Sequence, residues 1–414
     1  MNTSVWCAAC LCFLLPACDG VSASFPDPGQ ETLVAAAAPA PLAVHVPSNA
    51  AAAPGPQPTG GNGQVIAVPH SPFVSTEVSR FDEPWAMAFL PDGRLLVTEK
   101  AGHLRLLDVA TRQQGEILGV PDVAYGGQGG FGDIALHPQF ASNCLVYLSY
   151  AESGINNSRG AAVARARLAL DASGNGGRLE NLQVIWRQVP KVTGSNHYSH
   201  RLLFGRDGKL WISSGERQQA TPAQDMNSNL GKIVRLNDDG TIPADNPFAS
   251  RGGVAAQVWS LGHRNVLGLA FDYGGRLWAH EMGPAGGDEL NLIERGSNYG
   301  WPIVSNGDNY DGSPIPDHAT RPEFNAPEVS WSPVIAPAGF IVYTGPLFPY
   351  FQGDGFIGGL ASQALIQVHL GNPRELKRYP MGRRIREVEQ GPDGALWLLE
   401  DGGDARLLKL TPPG

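Results

Sequence analysis

The chain has 414 residues, of which 42% are hydrophobic and 8% are aromatic. This is enough apolar material for a large buried core, so disorder of the whole chain is excluded. Only 17% of the residues are charged and the net charge is −9, which argues against nucleic acid or an anionic membrane surface as a partner. The 52 glycines and 34 prolines are typical of short strands joined by many turns.

The first 18 residues are predicted to be a signal peptide. The apolar stretch from Val5 to Ala17 has the length of a signal-peptide core, and it is too short to span a membrane. The sequence Leu-Pro-Ala-Cys that ends at Cys18 resembles a bacterial lipobox, although no basic residue precedes Arg80. We therefore expect an exported, periplasmic protein without a membrane-spanning segment, with lipidation of Cys18 as an alternative that would anchor it to the membrane.

Residues 19–64 are predicted to be a disordered linker. Ala, Pro and Gly dominate this stretch, so its side chains bury too little area to offset the entropy of ordering. The folded domain is predicted over residues 65–414. Within it Cys144 is the single cysteine, which excludes a disulfide framework.

One sequence pattern occurs four times in the folded domain. Each copy has an Asp-Gly or Gly-Gly turn followed by a short apolar run, and the copies are Leu90–Glu99, Gly205–Ser214, Asp272–Glu281 and Gly391–Glu400. The turn supplies the positive φ of a two-residue hairpin, and the apolar run has the length of a strand. The pattern therefore predicts repeated antiparallel strand pairs.

The repeat also predicts the architecture. Weaker copies lie at Pro138–Tyr150 and Gly353–Leu360, so that about six units share about 350 residues, and no amphipathic helix interrupts them. Repetition of this kind is typical of a β-propeller, and we predict an all-β, six-bladed β-propeller. A β-sandwich or a pair of small β domains is the alternative, but either would explain the strands and not their recurrence.

Two polar clusters between the repeats could carry chemistry. His197 precedes a repeated strand, and histidine is suited to remove a hydroxyl proton near neutral pH; the alternative is a histidine that caps a loop. Arg384 and Arg386 alternate with Ile385, so on a strand both guanidinium groups face the same way. Such a pair suits a ligand with several carboxylates, whereas pairing with acidic neighbours would leave it a solvated strand face.

A third cluster offers hard oxygen ligands. Asp288, Glu289 and Tyr299 follow a glycine-rich loop whose backbone carbonyls are also available, and such donors suit Ca²⁺. The motifs of nicotinamide, nucleotide and covalent haem binding do not occur in the chain.

Taken in order, these clusters resemble the soluble quinoprotein glucose/sorbosone dehydrogenase family, in its aldose sugar dehydrogenase branch. The resemblance extends from Phe81 to Leu410, and its most specific segments are Leu261–Phe271, Gly283–Ile293 and Asn298–Pro302. It implies a six-bladed propeller that binds pyrroloquinoline quinone (PQQ) and Ca²⁺. The implied activity is oxidation of aldose sugars to lactones, with electrons passed on to an acceptor that the sequence does not identify.

The resemblance also implies roles for individual residues. His197 is similar to the family's catalytic base, and Gln128 to a group that positions the sugar. Four residues match contacts of the cofactor: Arg264, Asn265, Arg384 and Arg386. Five match metal-binding positions: Gly283 and Pro284 for an active-site Ca²⁺, and Glu289 and Tyr299 with Asp288 for a structural one. The chain departs from its relatives at Met282, where some have glutamine, and at Ala361, where many have a lysine near PQQ.

Two other functions are consistent with the sequence. One is a calcium-dependent sugar-lactone hydrolase on a similar propeller, in which a metal-bound water attacks the lactone. That chemistry needs several acids around one metal, whereas the acids here cluster in one loop. The other is a propeller without catalytic activity that binds sugars or a partner in the cell envelope.

Overall fold

The computed structural model describes residues 71–414. The predicted signal peptide, Cys18 and the linker lie outside the described residues. The described part is almost entirely β-structure, with one α-helix, α1 (Phe140–Asn143), and five short 3₁₀ helices. The all-β prediction is therefore confirmed. No helix among residues 71–414 is long and apolar enough to cross a membrane.

The strands are short, as the repeated pattern predicts. In chain order they are β1 (Val74–Phe81), β2 (Pro84–Phe89), β3 (Leu95–Glu99), β4 (His103–Leu107), β5 (Gln114–Leu118), β6 (Phe131–Leu136), β7 (Leu145–Ser153), β8 (Arg159–Leu170), β9 (Gly177–Arg187), β10 (Ser199–Phe204), β11 (Leu210–Ser214), β12 (Lys232–Leu236), β13 (Val258–Leu261), β14 (Val266–Phe271), β15 (Leu277–Glu281), β16 (Ala285–Gly286), β17 (Asp288–Ile293), β18 (Gly307–Asp308), β19 (Val329–Trp331), β20 (Pro337–Val342), β21 (Asp354–Gly359), β22 (Ala364–His369), β23 (Arg374–Pro380), β24 (Ile385–Gln390), β25 (Leu396–Glu400) and β26 (Ala405–Thr411). The 3₁₀ helices are Thr221–Gln224, Ala249–Arg251, Ala255–Gln257, His318–Thr320 and Pro349–Phe351.

The strands form antiparallel sheets of four. Three sheets are β10–β13, β14-β15-β17-β19 and β20–β23. In a fourth, β1 pairs with β26 beside β25 and β24, so strands from the two ends of the described chain share a sheet. Two further groups of four, β2–β5 and β6–β9, are joined by a parallel pair between β5 and β9 and so form one sheet of eight strands. Strands β16 and β18 form a separate small hairpin.

The first strand of each group of four lies next to its counterparts in the neighbouring groups. Each inner strand contacts the next one around a ring, in the order β2, β6, β10, β14, β20 and β24, and β24 contacts β2. These six inner strands therefore enclose a central space. Apolar clusters fill the gaps between neighbouring sheets; Leu95 and Val97 of β3, for example, pack with Leu399 of β25 and Leu407 of β26.

The turns differ from the prediction in one respect. In the first repeat the amide of Gly93 donates to the Leu90 carbonyl, and the amide of Leu90 donates to the Arg94 carbonyl. Only the glycine has positive φ, at 88°, which is the pattern of a type I turn followed by a left-handed glycine. The prediction of a two-residue turn is therefore wrong, because the Asp92 carboxylate accepts the Arg94 amide and stabilises the longer turn.

Candidate active site

A cavity of about 370 Å³ lies at one end of the central space. Residues at or near the beginning of the inner strands form its wall, among them Trp85, His200 and Leu267. Four of the residues predicted to bind substrate or cofactor also line it: Gln128, Asn265, Arg384 and Arg386. A larger cavity, of about 740 Å³, is lined by the second halves of the same strands. None of the predicted site residues lines that larger cavity.

His197 lies beside the wall of the smaller cavity. Its side chain is buried, with the residue 5% exposed, and its Nδ1 lies 2.5 Å from Oε1 of Glu216. Its backbone amide donates to Oε1 of Gln128 at 2.9 Å, which joins it to a residue of the cavity wall. The structure therefore brings the predicted base and the predicted sugar-positioning residue together, and it adds Glu216, which the sequence analysis missed.

The environment sets the charges of this pair. Burial lowers the pKa of His197, and this effect outweighs the opposing influence of Glu216. Burial alone would raise the pKa of Glu216, but the hydrogen bonds from His197 and from the Ala220 amide, together with nearby positive charge, lower this pKa on balance. At neutral pH the pair is thus a carboxylate and a neutral imidazole. Because the carboxylate accepts the proton on Nδ1, the lone pair of the imidazole is on Nε2.

The backbone around this pair is held in an unusual conformation. Positive φ occurs at six non-glycine residues in two adjoining segments, one that runs into the start of β10 and one that follows β11: His197, Ser199, His200, Arg217, Gln218 and Ala220. Such angles are unfavourable and persist only where the surroundings impose them. The buried guanidinium of Arg217 contributes to this, because it donates to the carbonyls of Arg159, Gly194 and Asn196 and so joins the two segments.

His200 is buried in a different environment. Its ring stacks on Tyr198 at 5.2 Å, and neither ring nitrogen has a hydrogen-bond partner among the described residues. Burial lowers its pKa to about 3. His200 is therefore neutral, and unlike His197 it has no carboxylate partner within residues 71–414 that would orient its ring.

Arg264 and Asn265 connect the surrounding loops. The Asn265 side chain accepts the amide of Ser199 at 3.1 Å. The guanidinium of Arg264 donates to the carbonyls of Met282 and Gly283, at 3.1 and 2.7 Å, and its backbone amide donates to Glu281. Asn265 lines the cavity and Arg264 does not, so the structure separates two residues that were predicted to contact the cofactor together.

Arg384 and Arg386 point to one place, as their alternation along the chain predicts. The Nε groups of both donate to Asp401, at 2.7 and 2.8 Å, and all three residues line the cavity. The acidic neighbours proposed as alternative partners lie elsewhere: Glu387 is buried and pairs with Arg201. Neither Nη group of Arg384 has a partner among the described residues, so donors remain for a carboxylate ligand.

The predicted calcium ligands are largely engaged with the protein. The Asp288 carboxylate accepts the amides of Gly283, Ile335 and Ala336 at 2.7–2.9 Å. Burial raises its pKa to about 6. Asp288 thus holds the Gly283 loop against the segment that leads into β20.

The other predicted calcium ligands do not converge through their side chains. Tyr299 donates its hydroxyl to the carbonyl of Leu292 at 2.5 Å, whereas Glu289 pairs with His318 at 3.2 Å. Glu289 and Tyr299 share only a cavity of about 10 Å³, and residues 71–414 contain no group of three or more His, Cys, Asp or Glu that could hold a metal. Arg264 also donates to the Gly283 carbonyl, so the oxygens of these residues face protein donors and do not form a calcium site in this structure.

Glu216 could have been found from the repeats. Three of the four repeated segments end in an acidic residue that is buried, namely Glu99, Glu281 and Glu400. The fourth ends in Ser214, and its acid follows two residues later as Glu216. Glu281 accepts from Nδ1 of His263 at 2.9 Å, so a histidine–glutamate pair occurs at the end of a repeated strand twice. Asp401, the partner of both arginines, directly follows the last repeat.

Comparison with known proteins gives the class to which this fold and cavity belong. The family model for glucose/sorbosone dehydrogenases matches residues 81–409. The chain is 38% identical over 356 residues to the aldose sugar dehydrogenase YliI of Escherichia coli K12, which covers 84% of this chain and 94% of the relative. The chain therefore belongs to the glucose/sorbosone dehydrogenase family, and it is an oxidoreductase.

Solved structures agree with this assignment. The apo-form of the soluble aldose sugar dehydrogenase from Escherichia coli superimposes with a TM-score of 0.77 at 38% identity, over 82% of this chain and all of that one. The PQQ-bound form of the aldose sugar dehydrogenase from Streptomyces coelicolor has a TM-score of 0.67 at 30% identity, over 82% and 98% of the two chains. Of the three functions considered from the sequence, these comparisons favour the dehydrogenase.

Proposed function

We propose that this protein is a PQQ-dependent aldose sugar dehydrogenase that oxidises the anomeric hydroxyl of its substrate to a lactone. The observation that carries the proposal is the His197–Glu216 pair beside a cavity whose wall holds Arg384 and Arg386. We further propose that the closed ring of inner strands is the centre of a six-bladed propeller. In this arrangement each group of four strands is one blade, and the last blade combines β1 with β24–β26.

Three residues of the site have separate roles in the proposed reaction. His197 takes the proton of the anomeric hydroxyl at Nε2, because Nδ1 carries the proton donated to Glu216. The negative charge of Glu216 stabilises the imidazolium that forms. Gln128 accepts the His197 amide through Oε1, which leaves its amide NH₂ group to donate to a sugar hydroxyl.

The donors in the cavity fit an anionic quinone. The spare Nη groups of Arg384 and the guanidinium of Arg386 suit the carboxylates of PQQ, and Leu267, Leu360 and Met282 supply apolar surface for a planar ring. When bound, PQQ supplies the acceptor for the two electrons that leave the sugar with the C1 hydrogen. Asp401 holds both arginines in place for this contact.

The test is to titrate the purified apo-protein with PQQ and to follow dye reduction with several aldoses. The matched control substrate is the methyl glycoside of the best aldose, which lacks the anomeric hydroxyl and should not be oxidised. Deuterium at C1 should slow single-turnover reduction of PQQ if transfer of that hydrogen is rate-limiting there. Failure to bind PQQ, or equal oxidation of the methyl glycoside, would contradict the proposed function.

We also propose export, which the N-terminal sequence supports, whereas a requirement for Ca²⁺ is implied by the family resemblance alone. A requirement for Ca²⁺ is tested by assaying the PQQ-loaded protein after chelation and after readdition of the metal. A periplasmic location, with or without a lipid on Cys18, is tested by fractionating cells that express the wild type and Cys18→Ser. A shift of the protein from the membrane to the soluble pool in the variant would support lipidation.

A further inference from the structure

Lys100 is a cavity residue to which neither the motifs nor the proposed mechanism assigns a role. It follows the last residue of β3 and lines the cavity together with Arg384 and Arg386. Its backbone amide donates to the Glu83 carbonyl at 3.0 Å, and its carbonyl accepts the amide of Phe131 at 2.9 Å. The backbone of Lys100 is therefore fixed between the beginnings of two inner strands, and its side chain is only 15% exposed.

The Lys100 ammonium group makes only long contacts with the described residues. Its Nζ lies 3.6 Å from Oε1 of Glu83 and 3.4 Å from the carbonyl of Gly127. By contrast, Nζ of Lys191 lies 2.5 and 2.7 Å from two oxygens, and Nζ of Lys232 lies 2.7 Å from each of two carbonyls. An ammonium group has three donors, and those of Lys100 are largely unused although the side chain is mostly removed from solvent.

The neighbours of Lys100 do not compensate for this. One oxygen of Glu83 already accepts the hydroxyl of Tyr125, and the Tyr125 ring centroid lies 5.7 Å from Nζ. The charged residues of the cavity wall are three cations, Lys100, Arg384 and Arg386, and two carboxylates, Glu83 and Asp401. The wall therefore carries one excess positive charge, to which Lys100 contributes as one of the three cations.

We propose that Lys100 binds a carboxylate of PQQ and supplies part of the positive charge that attracts this anionic cofactor to the cavity. The inference rests on the proposed function, because it takes PQQ as the ligand. A partly buried ammonium group with unused donors gains a charge-assisted hydrogen bond when an anion enters. The arginine pair, in contrast, already shares the charge of Asp401.

The experiment measures binding of PQQ to apo-protein by isothermal titration calorimetry, so that its result does not depend on turnover. Lys100→Met should raise the dissociation constant about 10- to 100-fold, the range for a lost hydrogen bond to a charged group, while Lys100→Arg should stay close to wild type. Glu83→Gln should bind PQQ more tightly, because it removes a competing negative charge. Affinity of the wild type should fall with added salt, and less steeply for Lys100→Met.

The matched control is Lys409→Met, which removes a lysine paired with Asp393 outside the cavity and should leave the dissociation constant unchanged. If Lys100 serves only to pair with Glu83, Lys100→Met and Glu83→Gln would lower the melting temperature alike and neither would alter PQQ affinity; that result overturns the inference. Wild-type affinity in Lys100→Met together with full sugar oxidation would refute the role of Lys100 and leave the proposed function standing. Absence of PQQ binding by the wild type would refute both.

Discussion

Glu216→Gln is the substitution that tests most directly how His197 is prepared for catalysis. The variant keeps the size of the side chain but replaces the carboxylate that lies 2.5 Å from Nδ1. A hydrogen bond to a charged group contributes about 1.5–3 kcal/mol, and the charge of Glu216 is needed most when His197 becomes an imidazolium. If that contribution is lost only in the transition state, kcat should fall about 10- to 150-fold.

The assay is PQQ-loaded enzyme with saturating aldose, with kcat and KM measured from pH 5 to 8. We expect a loss in kcat with little change in KM or in PQQ affinity, since Glu216 does not line the cavity. In the wild type the pKa of His197 is lowered by burial, so activity should decrease only below the ordinary histidine range; in the variant this decrease should move to still lower pH, because Glu216 favours the protonated ring. Glu281→Gln, at the His263–Glu281 pair, is the control for loss of a buried carboxylate. Unchanged kcat in Glu216→Gln would refute the reasoning.

Three further outcomes are expected. His197→Ala should lower kcat by about 10²–10⁴, the range for a lost general base, and His200→Ala should do much less; equal and small effects in an assay of both variants would exclude His197 as the base. Arg386→Gln should weaken PQQ binding about 10-fold or more in a calorimetric titration, because it removes a guanidinium from the cavity, and unchanged affinity would count against the cofactor site. His280 is buried with its pKa lowered to about 3, so only the unfolded chain takes up this proton as the pH falls below about 6.5. This residue should therefore cost about 2 kcal/mol of unfolding free energy at pH 5 relative to pH 7, and urea unfolding of His280→Leu at both pH values should lack that part of the pH dependence.

The strands could be predicted from the sequence because their signals are local. The apolar run in each repeat is long enough to be a strand, and the glycine at each turn, such as Gly93 or Gly394, has the positive φ that its position requires. The type of turn was less predictable, because it depends on an aspartate that accepts a backbone amide two residues later. The two-residue turn and the longer turn both contain an Asp-Gly pair, so the pair alone does not distinguish them.

The candidate site was predictable where one strand carries the information. Alternation of side chains predicts that Arg384 and Arg386 share a face, and in the structure Arg384, just before β24, and Arg386, within it, both donate to Asp401. Their partner, Asp401, belongs to a different segment that packs beside them. Nearness in the sequence would instead have indicated Glu387. That residue faces the opposite way and contacts Arg201 of β10, which lies 186 residues away. Long-range partners of this kind are set by the packing of the sheets.

The same distinction explains why His197 could be named from the sequence but its chemical state could not. A histidine ahead of a repeated strand is visible as a residue type, whereas its tautomer depends on Glu216, and its charge depends on burial by loops that Arg217 ties together. These two segments hold six non-glycine residues at positive φ, a conformation that is uncommon for residues other than glycine. The hydrogen bonds of Arg217 help to compensate for these unfavourable backbone angles. The resulting conformation places Nδ1 of His197 against the Glu216 carboxylate, beside the cavity. In related chains, the feature to look for is therefore a Glu-Arg pair such as Glu216 and Arg217 after the repeated strand. The glutamate orients the base, and the arginine helps to hold the segment that carries it.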